Sequence, residues 1–288
     1  MSNNDIAFAV IGGSGLYAMP GLSDVSEHRI ATPFGDPSDV IVVGALGDSR
    51  VAFLPRHGRG HRYNPGEVPS RANIYALKTL GVRHIVSVSA CGSLREELRP
   101  RDIVVPDQLF DYTKGRRPAS FFDGGIVGHV GVADPLSHSL SAALVKAVRD
   151  AGGTAHDGGV FITIEGPRFS TKAESRAYRA WGCDIIGMTA CPEAFLAREA
   201  EIDFAIMAHV TDYDVWHESE EAVTVAMVID RLNANLTLAQ RAIANLAPVV
   251  AGLPHESAGA MGSAIMTARD RITPEARERV KLLVGQYL

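Results

Sequence analysis

The run Phe204-Ala205-Ile206-Met207-Ala208-His209-Val210 leads directly into Thr211-Asp212-Tyr213-Asp214. A short and mostly apolar run predicts a buried strand, and carboxylates at i and i+2 beyond its end can point to the same side. Two negative charges placed so close together are unfavourable unless a site uses them. A nitrogen heterocycle is one candidate occupant, because a carboxyl group can pass a proton to it.

Strands alternate with helices along the rest of the chain. The sequence predicts strands at 6–11, 40–44, 50–54, 84–90, 102–106, 159–165 and 203–210. It predicts helices at 70–80, 136–151, 171–181, 218–246 and from 273 onward, with a break in the long helix over 218–246 left open. The helix at 171 starts with the capping-box spacing Thr171-x-x-Glu174. This alternation predicts an α/β fold with a substantially parallel sheet. The segment 255–263 is rich in Gly, Ser and Ala, so it sets off a C-terminal appendix rather than a second domain.

Composition excludes several classes of protein. The 288 residues carry a formal net charge of −5, so no basic field indicates nucleic-acid binding. Three cysteines without CxxC spacing argue for a reducing compartment rather than a disulfide framework. The N-terminus lacks a basic n-region, and no apolar run approaches the ~18 residues of a membrane span. We therefore expect a cytoplasmic protein with no nucleic-acid or membrane partner.

A glycine-rich loop, Gly12-Gly13-Ser14-Gly15, follows the first predicted strand. Glycines allow backbone N–H groups to turn toward an anion, and the serine hydroxyl adds a donor. The spacing is neither that of a dinucleotide fingerprint nor that of a Walker loop. An ordinary tight turn is the alternative interpretation.

A cationic cluster runs from Arg56 to Arg62 between two prolines. Arginine holds oxyanions through its planar fork, and histidine adds a directional donor, although a solvated basic loop is the alternative. A zinc site at His57 and His61 is disfavoured, because the intervening glycines oppose the helix that this spacing requires.

Three further segments follow apolar stretches of the sequence. Ser89-Ala90-Cys91-Gly92-Ser93 consists of small residues that leave room for a ligand. Cys91 as a nucleophile is an alternative, but no local residue supplies a paired base. Phe169 can stack on a heterocycle and Met188 can contact a sugar face, while core packing is the alternative for both.

Together these segments resemble the trimeric purine nucleoside phosphorylase family, and within it the branch acting on S-methyl-5'-thioadenosine. The matching motifs occur in family order over about residues 6 to 245: Ile11-Gly12-Gly13-Ser14-Gly15-Leu16, Thr32-Pro33-Phe34-Gly35, Arg56-His57-Gly58, Ala90-Cys91-Gly92-Ser93-Leu94, Thr163-Ile164-Glu165-Gly166-Pro167-Arg168-Phe169-Ser170, Met188-Thr189 and Thr211-Asp212-Tyr213-Asp214. The resemblance implies a three-layer single domain with a mixed, largely parallel central sheet flanked by helices. It places residues 1–252 in the nucleoside phosphorylase domain and leaves 253–288 as a C-terminal helical appendix of the same domain.

The resemblance also implies a reaction, in which phosphate replaces the purine at C1' of 5'-methylthioadenosine. Inorganic phosphate is the co-substrate, and no metal or organic cofactor is implied. Asp212 and His57 are the implied catalytic residues. The implied phosphate-binding residues are Ser14, Arg56, His57, Ser89, Ala90 and Thr189. The implied nucleoside-binding residues are Phe169, Met188, Asp212, Asp214, Cys91, His129, Val225, Val228 and Ile229.

Asp212 is expected to set the preference for the base. A protonated Asp212 donates to purine N7 while its other oxygen accepts from a 6-amino group, whereas relatives that prefer 6-oxopurines carry Asn at the position of Asp212. Val225, Val228 and Ile229 are expected to line an apolar 5' pocket, and His129 resembles a residue that a neighbouring subunit supplies. The expected assembly is a homotrimer or a dimer of trimers.

Three alternatives remain at the level of the sequence. A phosphorylase of 6-oxopurine nucleosides or of methylthioinosine shares the same chemistry. A nucleoside hydrolase uses water in place of phosphate, against which the cationic cluster argues. A catalytically silent nucleoside-binding protein is disfavoured because Asp212, His57 and Met188 are all present.

Overall fold

The computed structural model describes residues 6–13, 15–16, 18–217 and 224–288, with only the backbone of 232 and 233. Within these residues, eleven strands form one mixed sheet. The strands are β1 (Ile6–Gly12), β2 (Leu22–His28), β3 (Ile41–Leu46), β4 (Ser49–Pro55), β5 (His84–Ser93), β6 (Ile103–Val105), β7 (Gln108–Tyr112), β8 (Ala155–Asp157), β9 (Val160–Ile164), β10 (Ile185–Gly187) and β11 (Asp203–Asp212).

The long strand β5 is the branch point of the sheet. It pairs in parallel with β1 and with β11, and its last residues pair antiparallel with β10. One path runs in the order β2-β3-β4-β1-β5-β10-β9-β7, while β11, β6 and β8 continue from β5 on the other path. The two paths of the sheet therefore separate at the carboxyl end of β5, one through β10 and the other through β11.

Helices cover both faces of the sheet. They are α1 (Ser70–Thr79), α2 (His138–Asp150), α3 (Lys172–Ala180), α4 (Ala190–Glu199), α5 (Val225–Ala234), α6 (Leu236–Val250) and α7 (Pro274–Val284). One core cluster joins the sheet to α1, α4 and α7 through residues such as Leu77, Leu196 and Val280. A second joins the other face to α2 and α6, with Leu144 and Ile243. This three-layer arrangement confirms the predicted α/β class.

The C-terminal segment is anchored at the end of the sheet remote from the strand-end motifs. Asp203, the first residue of β11, accepts hydrogen bonds from the backbone N–H groups of Glu256 and Ser257 at 3.0 and 2.7 Å. Tyr287 donates its hydroxyl to Glu201 at 2.8 Å. The division of the domain at 252 and 253 stays a prediction.

Two helical predictions differ from the structure. The long helix predicted over 218–246, for which a break was left open, is two helices, α5 and α6, joined at Asn235, and residues 218–223 lie outside the described part. Helix α4 was not predicted. Its second residue, Cys191, has φ −104° and ψ 136°, because a residue before proline is driven out of the helical region. The first turn of α4 therefore lacks a helical signature in the sequence.

Candidate active site

The carboxyl ends of four parallel strands meet at one edge of the sheet. β1 runs parallel to β4 and β5, and β5 runs parallel to β11. The residues that follow these ends are therefore neighbours, which is where open α/β sheets bind ligands. The antiparallel pairing of Ile186 with Gly92 brings the end of β10, and with it Met188 and Thr189, to the same edge. β9 runs parallel to β10 and adds the segment that leads to Phe169.

Asp212 is buried at this edge, with 5% of its surface exposed. Its Oδ2 accepts the Thr211 hydroxyl at 2.7 Å, and its Oδ1 accepts the Asp214 N–H at 2.8 Å. Burial raises the pKa of Asp212 to about 6, and the negative charge of Asp214 adds to the rise, against hydrogen bonds that lower it. A Cβ on Gly92 would lie 3.0 Å from Oδ1, so the acid needs the space that glycine leaves.

Asp214 has a left-handed backbone, with φ 51°, and is also buried. Burial raises its pKa. The hydroxyls of Ser175 and Ser170 face Asp214 and lower its pKa by less than burial raises it. The geometry nonetheless leaves both hydroxyls and Asp214 Oδ2 without a direct hydrogen bond among the described residues. The donors that face the second acid are therefore these two serine hydroxyls.

His57 follows β4 and is held in one tautomer. Its Nδ1 lies 2.9 Å from the Tyr63 carbonyl, and because a carbonyl only accepts, Nδ1 carries the proton. Burial and the neighbouring Arg56 lower the pKa of His57 to about 4, and the charges of His61 and Arg117 act in the same direction. Near neutral pH the ring is uncharged, so Nε2 is an acceptor. A hydrogen phosphate ion has a matching O–H donor.

Arg56 is buried, and most of the N–H groups of its guanidinium donate to acceptors within the protein. Its Nε and Nη2 contact the two oxygens of Glu193 at 2.7 and 3.1 Å. Its Nη1 donates to the Val88 carbonyl, and Nη2 also donates to the Ser87 hydroxyl at 2.6 Å. The guanidinium therefore ties β4, β5 and α4 together at the site. Direct contact between Arg56 and phosphate stays a prediction.

Two hydroxyls at the strand ends are available to an anion. Ser89 Oγ is buried and has no hydrogen-bond partner among the described residues. Thr189 occupies the N-cap position of α4, yet its side chain makes no capping bond to that helix as described. Ser14, the third predicted hydroxyl, lies outside the described residues. The neighbouring Ala90 is half-buried on the same stretch of β5.

Cys91 does not have the character of a nucleophile. It is 3% exposed, and burial together with Asp212 raises its pKa well above the ordinary value. The thiol is therefore protonated. The contact between Cys91 and the nucleoside that the resemblance implies stays a prediction.

Phe169 and Met188 are both half-buried on loops that face one another. Arg168 donates to the Phe169 carbonyl at 3.0 Å and forms a bidentate ion pair with the carboxylate of Glu174. A Cβ on Gly166, where φ is 68°, would lie 2.6 Å from Met188 Sδ, so only glycine permits this approach of the two loops. Their placement is compatible with the predicted base and ribose contacts.

The predicted 5' residues lie at the surface. Val225 and Ile229 of α5 are 62% and 53% exposed, and Val228 is half-buried. Arg231 of the same helix donates to the Thr211 carbonyl at 2.6 Å, which fixes α5 beside the acids. His129 is exposed on a loop whose backbone is bonded to the C-terminal segment through Ala264. None of the described hydrogen bonds joins His129 to the strand ends of its own chain.

The sequence did not identify every residue that builds the site. Glu193, which pairs with Arg56, is visible only as an acid in the first turn of an unpredicted helix. Arg117 donates to the carbonyls of Met188 and Glu165, on two different loops, but lies in a segment, 113–118, that carries no recognisable motif. Neither residue had a local signal by which it could have been found.

The described residues contain neither a metal-binding cluster nor a membrane-spanning helix. No group of three or more His, Cys, Asp or Glu residues in the described chain is arranged to hold a metal ion. Among the helices that the structure describes, none combines the length and hydropathy required to cross a bilayer.

Known proteins resemble this chain in sequence and in fold. The Phosphorylase superfamily model matches residues 7–248. The S-methyl-5'-thioadenosine phosphorylase of Chloroflexus aurantiacus is 54% identical over 96% of this chain and 97% of its own length. A methylthioadenosine phosphorylase from an antarctic soil metagenomic library superposes with a TM-score of 0.92 at 47% identity, covering 97% of this chain and 99% of its own. A variant of the adenosine/methylthioadenosine phosphorylase from Schistosoma mansoni, in complex with methylthioadenosine, gives 0.84 at 33% identity, covering 92% and 99%. The chain described here belongs to the phosphorylase superfamily.

Proposed function

We propose that this protein catalyses the phosphorolysis of 5'-methylthioadenosine to adenine and 5-methylthioribose-1-phosphate. The observation that carries the proposal is the buried Asp212, whose pKa is raised to about 6 at the edge where the strand ends meet. The relatives from Chloroflexus aurantiacus and from the antarctic soil library bear the names of this activity. The S. mansoni variant binds methylthioadenosine itself.

The reaction assigns a role to each end of the site. A phosphate oxygen attacks C1', and the bond from C1' to N9 breaks with its electron pair on the purine. Asp212 gives its proton to N7, so adenine leaves as a neutral molecule. The proton of the phosphate ester then returns to Asp212 through solvent. His57 Nε2 accepts the O–H of hydrogen phosphate, which turns the anionic oxygens toward C1'.

Adenine is favoured over a 6-oxopurine because of the two acids. The second oxygen of Asp212 and Oδ2 of Asp214 are acceptors, and the 6-amino group is a donor. A 6-oxo group would present a third acceptor to this pair. Phosphorolysis of inosine-type nucleosides is therefore the less favoured candidate.

One set of rates tests the proposal. Initial base release is measured from methylthioadenosine, adenosine, methylthioinosine and inosine, each with and without added phosphate. We expect strict dependence on phosphate and the highest kcat/KM for methylthioadenosine. Base release that does not depend on phosphate would assign a hydrolase, and a preference for inosine would assign the 6-oxopurine activity.

We further propose that phosphate is the only co-substrate, that no metal or organic cofactor takes part, and that the protein is a cytoplasmic homotrimer. The exposed Val225 and Ile229 support an assembly in which another subunit covers the 5' group. The exposed His129 is the residue proposed to reach across. Sedimentation equilibrium measures the number of subunits, and three are expected. Treatment with a chelator should leave the rate unchanged if the enzyme is independent of metal.

A further inference from the structure

Arg117 is buried in the loop that follows β7, with 8% of its surface exposed. Its Nη1 donates to the carbonyls of Met188 and Cys191 at 2.7 and 2.9 Å. Its Nη2 donates to the carbonyls of Glu165 and Ile164 at 2.7 and 3.4 Å, and Nε donates to the Glu165 carboxylate at 3.2 Å. Each of the five N–H groups of the guanidinium therefore has an acceptor within the protein.

These acceptors belong to two loops with different tasks. The carbonyls of Met188 and Cys191 flank Thr189, the hydroxyl available to phosphate. The carbonyls of Ile164 and Glu165 begin the segment that carries Phe169. The two loops already touch where Met188 Sδ approaches Gly166. One side chain thus joins the phosphate side of the site to the base side.

We propose that Arg117 is a positioning residue for the phosphorylase reaction, which sets the distance between the phosphate-binding Thr189 and the base-stacking Phe169. This inference rests on the proposed function. Because all five N–H groups are engaged, Arg117 acts through the loops rather than by contact with substrate. A lysine cannot replace it, since an ammonium group lacks the planar fork that reaches four carbonyls on two loops.

The charge of Arg117 is matched within the same contact. The Glu165 carboxylate accepts from Nε, while its other oxygen is buried without a partner among the described residues. The replacement Arg117→Lys preserves the positive charge and removes the fork. It therefore separates the geometric role from the electrostatic one.

The test compares Arg117→Lys with wild type in steady-state phosphorolysis of methylthioadenosine, with phosphate and nucleoside each varied. We expect kcat/KM to fall about 10²-fold, because a shift of about 1 Å in a reacting group has that effect. We also expect KM to rise for both substrates together. Arg149→Lys is the matched control, since Arg149 holds a single remote carbonyl, that of Ala155, at 2.9 Å.

Two outcomes overturn the proposal. Kinetic constants within about twofold of wild type would show that the fork is dispensable, and a rise in KM for phosphate alone would make Arg117 a direct phosphate ligand. If Arg117→Lys does not fold, Glu165→Gln takes its place. We expect a smaller rise in both KM values for this variant, and unchanged KM values would overturn the proposal. A wild-type protein without phosphate-dependent base release would instead contradict the proposed function itself.

Discussion

Asp212 occupies a position that costs stability. Its pKa is raised to about 6 from an ordinary value of 3.8, so above pH 6 the folded protein holds a carboxylate in a place that disfavours the charge. A side chain that is penalised in the folded state and placed beside a second acid is typical of a site that uses its proton.

Replacing Asp212 by Asn should weaken the preference for 6-aminopurines and raise the free energy of unfolding. An amide donates to a 6-oxo group but supplies no proton to N7, so kcat/KM for methylthioadenosine should fall by about 10²- to 10⁴-fold. The ratio of inosine-type to adenosine-type rates should rise. An unchanged ratio would remove Asp212 from base selection, and the exposed Asp157→Asn serves as the control in the same assay.

The same variant should unfold at higher urea concentration at pH 7.5. The folded-state pKa lies above the unfolded one, so the contribution of Asp212 to stability is greatest below pH 4 and is lost as pH rises through 6. Removing the charge should recover about 1–3 kcal/mol of unfolding free energy. Loss of stability in Asp212→Asn at pH 7.5 would contradict the raised pKa.

Ser89 should matter for phosphate and not for folding. Its buried hydroxyl has no partner among the described residues, so Ser89→Ala removes no internal hydrogen bond. We expect KM for phosphate to rise about tenfold, the equivalent of ~1.4 kcal/mol, with the nucleoside KM unchanged. Ser141→Ala removes a similarly unpartnered hydroxyl on α2 and should leave both KM values unaltered. Equal phosphate KM values in the two variants would rule Ser89 out of the phosphate site.

Helix α3 links a local sequence signal to the base side of the site. Thr171 and Glu174 form a capping box at its N-terminus, as predicted from the sequence. Glu174 also pairs with Arg168, whose guanidinium holds the Phe169 carbonyl, and this pairing lowers the pKa of Glu174 to about 2. The start of the helix and the position of the aromatic ring therefore depend on one carboxylate.

Thr171→Ala should lower the unfolding free energy by about 1 kcal/mol, because the N–H of Glu174 loses its side-chain acceptor. It should also raise the KM for nucleoside several-fold. Thr273→Ala removes the corresponding cap of α7, so it should cost a similar amount in urea unfolding without a kinetic effect. Equal nucleoside KM values in the two variants would show that the cap does not position Phe169.

Most elements were predictable because their signals are local. The apolar run before Asp212 predicted β11, and the capping box predicted the start of α3. Strand β7 and helix α4 were missed because their form is imposed by neighbours: β7 is an edge strand of mixed polarity beside β9, and α4 begins with a non-helical Cys191. The partners Arg56–Glu193 and Arg117–Glu165 were missed for the same reason, since each joins residues far apart in the chain.

Among the described residues, the half-buried His57 and three buried groups have opposing effects on the pH dependence of stability. His57 and His209 have pKa values lowered to about 4, so they take up protons on unfolding below pH 6.5. Asp212 and Glu199 have pKa values raised to about 6 and about 7, so they release protons on unfolding over much of the same interval. Their contributions to the pH dependence of stability therefore nearly cancel between about pH 4.5 and 6.

Removing one of these groups should leave the opposing effect on the pH dependence of stability uncompensated. His209 is 1% exposed, and neither ring nitrogen has a partner among the described residues. In the folded protein it stays neutral while the unfolded chain is protonated, so stability is lost as pH falls below 6.5. His209→Met should gain about 2 kcal/mol more at pH 5 than at pH 7.5.

Urea unfolding of wild type and His209→Met at both pH values measures this gain. The exposed His138→Met is the matched control. An equal difference between wild type and His209→Met at the two pH values would show that His209 titrates normally in the folded state.

The two buried guanidiniums of the site are each matched to a carboxylate, Arg56 to Glu193 and Arg117 to Glu165. Such pairs present little net charge to solvent, and buried pairs are only weakly screened by salt. Capture of phosphate then depends on directed hydrogen bonds rather than on a long-range attractive field. It follows that the rate of the enzyme should change little with ionic strength. Release of its sugar phosphate product should likewise not be slowed by a strong long-range electrostatic attraction.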